Sequence, residues 1–440
     1  MIRAYKSFAA ATFISAVIIS GCATDYTTEM RPVTSNLRID RTDLAIEEFR
    51  ENFPDSTGRD RLLYLMELGN LMRLSGDFPA AENLLLQADR LSDQQRGIEP
   101  GQEVEAFLSS DLALEFRGAD YEKVFINYCL AVCYASENNM EDALVECRRV
   151  NDKLKVLNQN YEENKNRYGD DAFIRYLMGI MYEKAGDLNN ALIAYRNSLS
   201  VYDSSYASDY GLTAPRRVRS DILRLSSTLG MQSIYQDYSS SWPEVTWENE
   251  GPDRDHGEVV VILEAGMIPP RVGKTYTFVL DDRVYRVSLP AIPASRPQSW
   301  SVTLSSGDIE TSGFLAEDLT AIARKNLEDH AGRDIARSIL RLAVKAGVAE
   351  AGEQLVEELT EENSGISEVT GLLLSIVGAV TERADLRAWL TLPSRIFVAR
   401  LRLPGGEHPV RVEVNGRIVY SDESMPIDCG EIHLLFLREG

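Results

Sequence analysis

The stretch LMELGNLMRLSGDFPAAENLLLQA, residues 65–88, decides the fold of the first half of this chain. Apolar residues recur at helical spacing on both sides of Gly76-Asp77, and this dipeptide breaks the chain between two helices. Gly69 lies within the first helix, where the missing side chain lets the second helix approach closely. Residues 178–195 repeat the arrangement with Gly179, Gly186-Asp187, Ala191 and Tyr195. The sequence therefore predicts consecutive helical hairpins.

The hairpins resemble tetratricopeptide (TPR) repeats, in which a small residue beside a large apolar one allows the paired helices to pack closely. A weaker copy runs from Leu130-Ala131 to Cys147, and a half-copy, Ala45-x-x-x-Phe49, supplies only a second helix. The small residues at positions 69, 131 and 179 are 62 and 48 residues apart, whereas uninterrupted TPR repeats are about 34 residues long. Insertions therefore lengthen helices or add new ones. We expect residues 41–240 to form a TPR-like helical domain that ends in a capping helix.

The TPR resemblance implies that the first helix of each hairpin lines a concave groove. The predicted partner-binding residues of this groove are Leu63, Met66, Asn70, Arg73, Phe125, Tyr128, Phe173, Tyr176 and Ile180. They are mostly apolar and aromatic, which suits an apolar peptide or a segment of an envelope protein. An alternative stays open, because aromatic stripes at helical spacing are more often core than binding site. In that alternative, insertions or the second domain fill the groove.

The second half of the chain follows a connector over residues 239–255, and its sequence pattern predicts short strands. Residues 258–264 (EVVVILE) are a continuous apolar run, typical of a buried strand. Asn415-Gly416 lies between two apolar runs and predicts a two-residue hairpin turn. Neither 256–310 nor 394–438 offers enough strands to fold alone, so we expect them to combine into one small β-sandwich-like domain.

Residues 314–388 are predicted to be a helical insertion into that β domain. Apolar residues recur there near helical spacing, and basic residues step by four along one face at Arg333, Arg337, Arg341 and Lys345. The insertion is either an oligomerising or lipid-contacting hairpin or a helical layer packed on the sheet with a solvated basic face. The predicted fold class is therefore α+β, a helical array followed by a β domain with a helical insertion.

The first residues of the chain indicate export. Arg3 and Lys6 precede an apolar core over residues 8–19, a pattern typical of a secretory signal. Ile19-Ser20-Gly21-Cys22 resembles the lipobox of bacterial lipoproteins. The resemblance implies that residues 1–21 are removed, that Cys22 is acylated, and that residues 22–40 are a lipidated linker. In that family, Ala23 rather than Asp after the cysteine implies sorting to the outer membrane. An ordinary cleaved signal is the alternative.

Charge and side-chain chemistry narrow the range of functions that this chain can have. The formal net charge is −22, and loss of Arg3 and Lys6 with the signal changes it to −24. Nucleic-acid binding needs a basic patch, so no such partner is expected. No histidine lies near Cys129, Cys133 or Cys147 in the sequence, so we predict no metal site and expect free cysteines within the core. No common catalytic or phosphate-binding motif is present, and no cofactor is predicted.

The lipobox, the two Gly-Asp hairpins and the motif Ala384-Asp-Leu-Arg-Ala-Trp389 together resemble an uncharacterised family of bacterial TPR lipoproteins. The resemblance implies a location and an architecture, but no biochemical activity. We therefore predict a periplasmic, outer-membrane-anchored scaffold or adaptor that is not an enzyme. One alternative is a hydrolase of cell-wall material, whose paired carboxylates need no local motif. The other is a structural envelope protein that self-associates through residues 314–388.

Overall fold

The computed structural model describes residues 26–53, 57–95, 115–159, 168–280, 283–294, 299–329, 381–382 and 384–440. The predicted signal peptide and Cys22 lie outside these ranges. Residues 330–380, most of the predicted helical insertion and of its proposed self-association surface, also lie outside them. The described residues contain both helices and sheets, which confirms the α+β class.

The described residues between 26 and 241 form a series of helices, several of which are joined by short turns. The helices are α1 Tyr26–Glu29, α2 Arg31–Leu37, α3 Thr42–Asn52, α4 Arg61–Leu74, α5 Phe78–Gln94, α6 Asp120–Ser136, α7 Met140–Gln159, α8 Ala172–Lys184, α9 Leu188–Val201, α10 Arg216–Thr228 and α11 Gln232–Ser241. A π-helical stretch, Tyr202–Tyr210, continues α9. The pairs α4–α5, α6–α7 and α8–α9 are three helical hairpins, at the positions where the sequence places its three full repeat copies.

The Gly-Asp dipeptides end one helix and begin the next. Gly76 and Gly186 have φ angles of 81° and 78°, a left-handed conformation that side chains disfavour. The following aspartates cap the second helices, because the Asp77 and Asp187 carboxylates accept hydrogen bonds from the backbone amides of Ala80 and Asn190. In the middle hairpin, Asn138 with φ 62° and the capping residue Asn139 replace the dipeptide.

The prediction of a linker over residues 22–40 is wrong for its described part. Residues 26–37 form α1 and α2, and Met30, Val33 and Leu37 are buried in the same hydrophobic cluster as the hairpins. The hydroxyl of Tyr26 also donates to Oε1 of Glu67 in α4 at 2.9 Å. The buried residues Met30, Val33 and Leu37 are spaced by three and four positions, which places them on one face of a helix. The helical body therefore includes residues 26–37.

Within the described residues of the second half, the strands form three sheets. The strands are β1 His256–Ala265, β2 Val272–Leu280, β3 Arg283–Ala291, β4 Val302–Ser306, β5 Ile309–Ser312, β6 Phe314–Asp318, β7 Thr381–Glu382, β8 Arg395–Pro404, β9 Gly406–Val414, β10 Arg417–Ile427 and β11 Ile432–Glu439. The inner sheet has the order β11-β1-β8-β6, the outer sheet β10-β9-β4-β5, and a small sheet β2-β3-β7. β1 is antiparallel to β8 and parallel to β11, while β4 is antiparallel to β9. Both large sheets thus draw strands from both β segments.

The inner sheet is covered on both faces. Val259, Val261 and Leu263 of β1 pack in a cluster with side chains of the outer sheet. The alternate residues Val260 and Ile262 belong to the large cluster that also contains the helices. Because a strand's side chains alternate between faces, a strand covered on both sides is apolar throughout. This explains the continuous run EVVVILE and places the helical array directly against the inner sheet.

The predicted helical insertion differs from the structure at both described ends. Residues 314–318 are β6, which pairs with β8 in the inner sheet, and helix starts at residue 319 and extends to 329, the end of that described range. At the other end, 381–382 is β7, and 384–389 is irregular chain that leads to the inner sheet. The helical spacing of the intervening residues hid the short strand, since four or five residues give little periodic signal.

Candidate functional site: the occupied groove of the helical array

The nine predicted groove residues lie together, but none of them faces solvent. Their side chains are all buried, with exposed fractions between 0% and 6%. They form one interface with residues 389–392, β1 and β8, so the second domain fills the groove. The groove is therefore not open to a separate partner, and that expectation is corrected. The structure instead agrees with the alternative in which the second domain fills the groove.

Residues 389–391 occupy the groove beside the first two hairpins. The amides of Leu390 and Thr391 donate to Oε1 and Oε2 of Glu67 at 2.6 and 3.2 Å. The amide of Trp389 donates to Oε1 of Glu122 at 3.0 Å. The carboxyl groups of two helix residues therefore bind three consecutive backbone amides.

Side chains complete the binding of this segment. The indole of Trp389 is fully buried, and its Nε1 donates to Oγ1 of Thr391 at 3.1 Å. Nδ2 of Asn70 donates to the backbone oxygen of Thr391 at 2.9 Å, while Oδ1 of Asn70 accepts from Nε of Arg73 at 2.9 Å. The groove thus binds both main-chain donors and main-chain acceptors, as a peptide-binding groove does. The bound segment, residues 389–391, belongs to the same protein chain.

The middle of the groove binds β1 through Glu264. Nη2 of Arg73 and the hydroxyl of Tyr128 donate to Oε2 and Oε1 of Glu264 at 2.8 and 2.9 Å. All three side chains are buried. A buried carboxylate is stable only where such partners replace its water. Two predicted groove residues are therefore fully used in holding the inner sheet.

The third hairpin binds the sheet through Arg400 of β8. Its Nη1 donates to Oδ2 of Asp221 at 2.9 Å and to the hydroxyls of Tyr176 and Tyr195 at 3.3 and 3.2 Å. Its Nη2 pairs with Glu258 of β1. Three buried acids and three arginines meet in this charge cluster, which consists of Glu183, Asp221, Glu258, Arg217, Arg224 and Arg400.

The electrostatics of the groove fit a structural role. Burial opposes ionisation of Asp221, yet the guanidinium groups of Arg217, Arg400 and Arg224 hold the pKa of its carboxyl below the ordinary value. Burial raises the pKa of Glu67 to about 7, against the hydrogen bonds that it accepts. Burial also raises the pKa of the Cys129 thiol to about 12, which makes it unreactive. Each of these groups is fully buried and enclosed by its partners.

Sequence reasoning missed the acidic half of the groove. Glu67, Glu122 and Asp221 sit on the helices that line it, and Glu258 and Glu264 flank the apolar run of β1. One signal was available, since a carboxylate within an apolar helix such as Glu67 in LMELGNLM needs a buried partner. The sequence does not show that this partner is backbone more than 300 residues away.

The described part of the chain contains neither a cluster of metal-ligating side chains nor a helix suited to cross a bilayer. No group of three or more His, Cys, Asp or Glu side chains lies close enough there to hold a metal ion. Cys129, Cys133 and Cys147 are buried free thiols, as expected, and Cys429 is an exposed one. Within the same ranges, no helix has both the length and the apolar character that crossing a bilayer requires.

Comparisons with known proteins find similarity to solved structures alone. A scan against family models gives no match, and a search of curated proteins gives none. MamA is 15% identical over 48% of this chain and 92% of its own, with a TM-score of 0.31. The TPR-like repeats of a Podosopora anserina kinesin light chain are 11% identical over 50% and 93%, with a TM-score of 0.33. BtubC from P. vanneervenii is 13% identical over 48% and 76%, with a TM-score of 0.34.

Proposed function

We propose that this protein is a noncatalytic scaffold of the bacterial cell envelope, held to the periplasmic face of the outer membrane by lipid on Cys22. In this proposal the helical array uses its groove to hold its own β domain. The combined body then offers its outer surface to an envelope protein or peptide. The lipobox-like sequence at residues 19–22 supports the anchor, and Ala23 supports the choice of membrane.

The occupied groove is the observation that carries the proposal. If the protein were a hydrolase, the natural candidates for acid–base chemistry in the groove would be Glu67, Glu122, Glu264 and Asp221. Instead, Glu67, Glu122 and Asp221 accept hydrogen bonds from β8 or from the segment that leads into it. Glu264 of β1 accepts its hydrogen bonds from Arg73 and Tyr128 of the helical array. A buried carboxyl group whose hydrogen bonds are satisfied within the protein rigidifies the structure around it. The arrangement therefore supports a rigid body that acts through its surface.

The anchor is tested by fractionating cells that produce Cys22→Ser. We expect the variant in the soluble fraction and the wild type in the outer-membrane fraction. Cys429→Ser is the matched control, because it makes the same change at an exposed cysteine outside the lipobox and should stay with the membrane. A Cys22→Ser protein that remains membrane-bound in high salt would remove the anchor from the proposal.

The scaffold is tested by photo-crosslinking in intact cells. A crosslinking amino acid is placed at Ile193, Ile309 or Ile418, whose exposed fractions are 52%, 48% and 51%, and at the buried Phe125 as control. We expect an adduct with an envelope protein from at least one exposed position and none from Phe125. An adduct from Phe125 would show that the groove opens to partners. If the pure protein released soluble fragments from cell-wall sacculi, the hydrolase would be favoured instead. If light scattering gave a multimeric mass, the self-associating structural protein would be favoured.

A further inference from the structure

The body of the protein begins very close to the proposed anchor. Tyr26 is held through its hydroxyl to Glu67, and its ring lies 5.6 Å from that of Phe53. Met30 and Val33 are fully buried directly after it. The segment that follows a lipidated Cys22 is therefore fixed to the array from residue 26 onward.

The covalent distance from anchor to body follows from chain geometry. Cys22 and Tyr26 are separated by four residue steps, and an extended chain covers at most about 3.3–3.6 Å per step. Tyr26 therefore lies no more than about 14 Å from Cys22. An anchor this short cannot act as a flexible tether, so the part of the body around α1 and α2 must stay near the bilayer surface.

The outer face of α1 and α2 has the chemistry of a membrane surface contact. Backbone hydrogen bonds of the i to i−4 type run from Met30 to Tyr26, Thr34 to Met30 and Arg38 to Thr34, so both helices share nearly one axis. The exposed residues of these two helices and of the residue that follows them are Thr28, Arg31, Pro32, Ser35 and Arg38. Two of the exposed residues between 26 and 39 are arginines and none is acidic, in a chain whose net charge is −22. The half-buried Glu29 and the exposed Asp40 border them.

An exposed apolar residue lies at the end of this face. Ile39 is 66% exposed, more than any other large hydrophobic residue for which the structure gives an exposed fraction. Arginine pairs with lipid phosphate, and an exposed aliphatic side chain inserts between head groups. The position, charge and apolar character of the face agree with one another.

We propose that the outer face of residues 26–39 rests on the phospholipid head groups of the membrane that carries the anchor. This inference rests on the proposed lipidation of Cys22. The end of the array at α1 and α2 then lies on the bilayer, because the hairpins follow one another away from it. The far end at α9 to α11 is directed away from the bilayer, where an envelope partner can reach it.

The test uses the full-length lipidated protein in vesicles of phosphatidylethanolamine and phosphatidylglycerol. A fluorophore is attached at Ile39→Cys or Ile193→Cys, both in a Cys429→Ser background, because both isoleucines are exposed and lie at opposite ends of the array. Lipids with a head-group quencher should reduce fluorescence at position 39 several-fold more than at position 193. Replacing Arg31 and Arg38 with Glu should lower the quenching at position 39 by about half or more.

The outcomes separate this inference from the anchor itself. Protein that sediments with vesicles but shows equal quenching at positions 39 and 193 keeps its anchor and overturns the orientation. Protein that does not sediment overturns the anchor and the orientation together. Unchanged quenching in the Arg31→Glu, Arg38→Glu variant would overturn the role of the basic face.

Discussion

Replacing Gly179 with Ala should destabilise the protein, although the same change stabilises most helices. Gly179 lies where α8 crosses α9, and a Cβ at this position would overlap the ring of Tyr195. That ring cannot easily move, because its hydroxyl donates to Glu183 at 2.8 Å and accepts from Arg400 at 3.2 Å. The added methyl must therefore either separate the helices or break the contacts between the third hairpin and the β domain.

The expected magnitude is the difference of two opposing effects. Gly to Ala within a helix stabilises by about 1 kcal/mol. Overpacking a filled core costs about 1–3 kcal/mol, and a lost hydrogen bond to a charged group costs about 1.5–3 kcal/mol. We expect Gly179→Ala to lower the free energy of unfolding by about 2 kcal/mol.

Gly69→Ala is the matched comparison, since Gly69 occupies the same repeat position in the first hairpin. There the added Cβ would lie 2.8 and 2.9 Å from Cγ and Cδ2 of Leu85, a buried side chain that has no polar group and therefore no hydrogen bond to lose. Its cost should be smaller than that at Gly179. Urea unfolding at neutral pH, followed by circular dichroism, measures both. A Gly179→Ala protein as stable as wild type, or a Gly69→Ala protein that loses as much, would refute the reasoning.

Three further changes test the groove and the buried acids. Trp389→Ala should lower the free energy of unfolding by about 3–5 kcal/mol, because it empties a fully buried site; a loss below about 1 kcal/mol in urea unfolding would contradict the packing. Arg400→Met leaves Asp221 and Glu258 buried with one cation fewer and should cost about 3–5 kcal/mol; an unchanged unfolding midpoint would mean that the cluster is dispensable. Burial raises the folded-state pKa of Glu317 well above its ordinary value and that of Asp171 to about 6. The native state then keeps protons that the unfolded chain has lost, so this pair lowers stability as pH rises from about 4 through about 6 and above. Glu317→Gln should therefore gain stability relative to wild type between about pH 5 and about pH 8, and a constant difference would argue against this.

The local architecture could be predicted because its causes are local. Gly76-Asp77 and Gly186-Asp187 fix turns through their own backbone angles and caps, and Gly69 and Gly179 fix close crossings through a missing side chain. The apolar run of β1 identified a strand covered on both faces. Each of these signals is complete within about 25 residues of sequence.

The occupant of the groove could not be predicted, since the same stripe of Phe125, Tyr128 and Tyr176 suits a bound peptide or an internal packing face. Distinguishing them requires knowing that Glu67 meets the amides of residues 390 and 391, a pairing across 323 and 324 positions. The helices over 26–37 were missed for another reason. They are short and contain Pro32 near the start of α2, so they give little periodic signal.

The order of the groove and its occupant along the chain has a consequence for synthesis. A ribosome makes the helices of the array first, while residues 389–392 and β8 come more than 140 residues after the last helix of the array, and β11 follows β8. Contacts of such long sequence separation form slowly. A newly made array therefore exposes an apolar and acidic surface until the C-terminal segments arrive, and in that interval it is a substrate for chaperones and proteases.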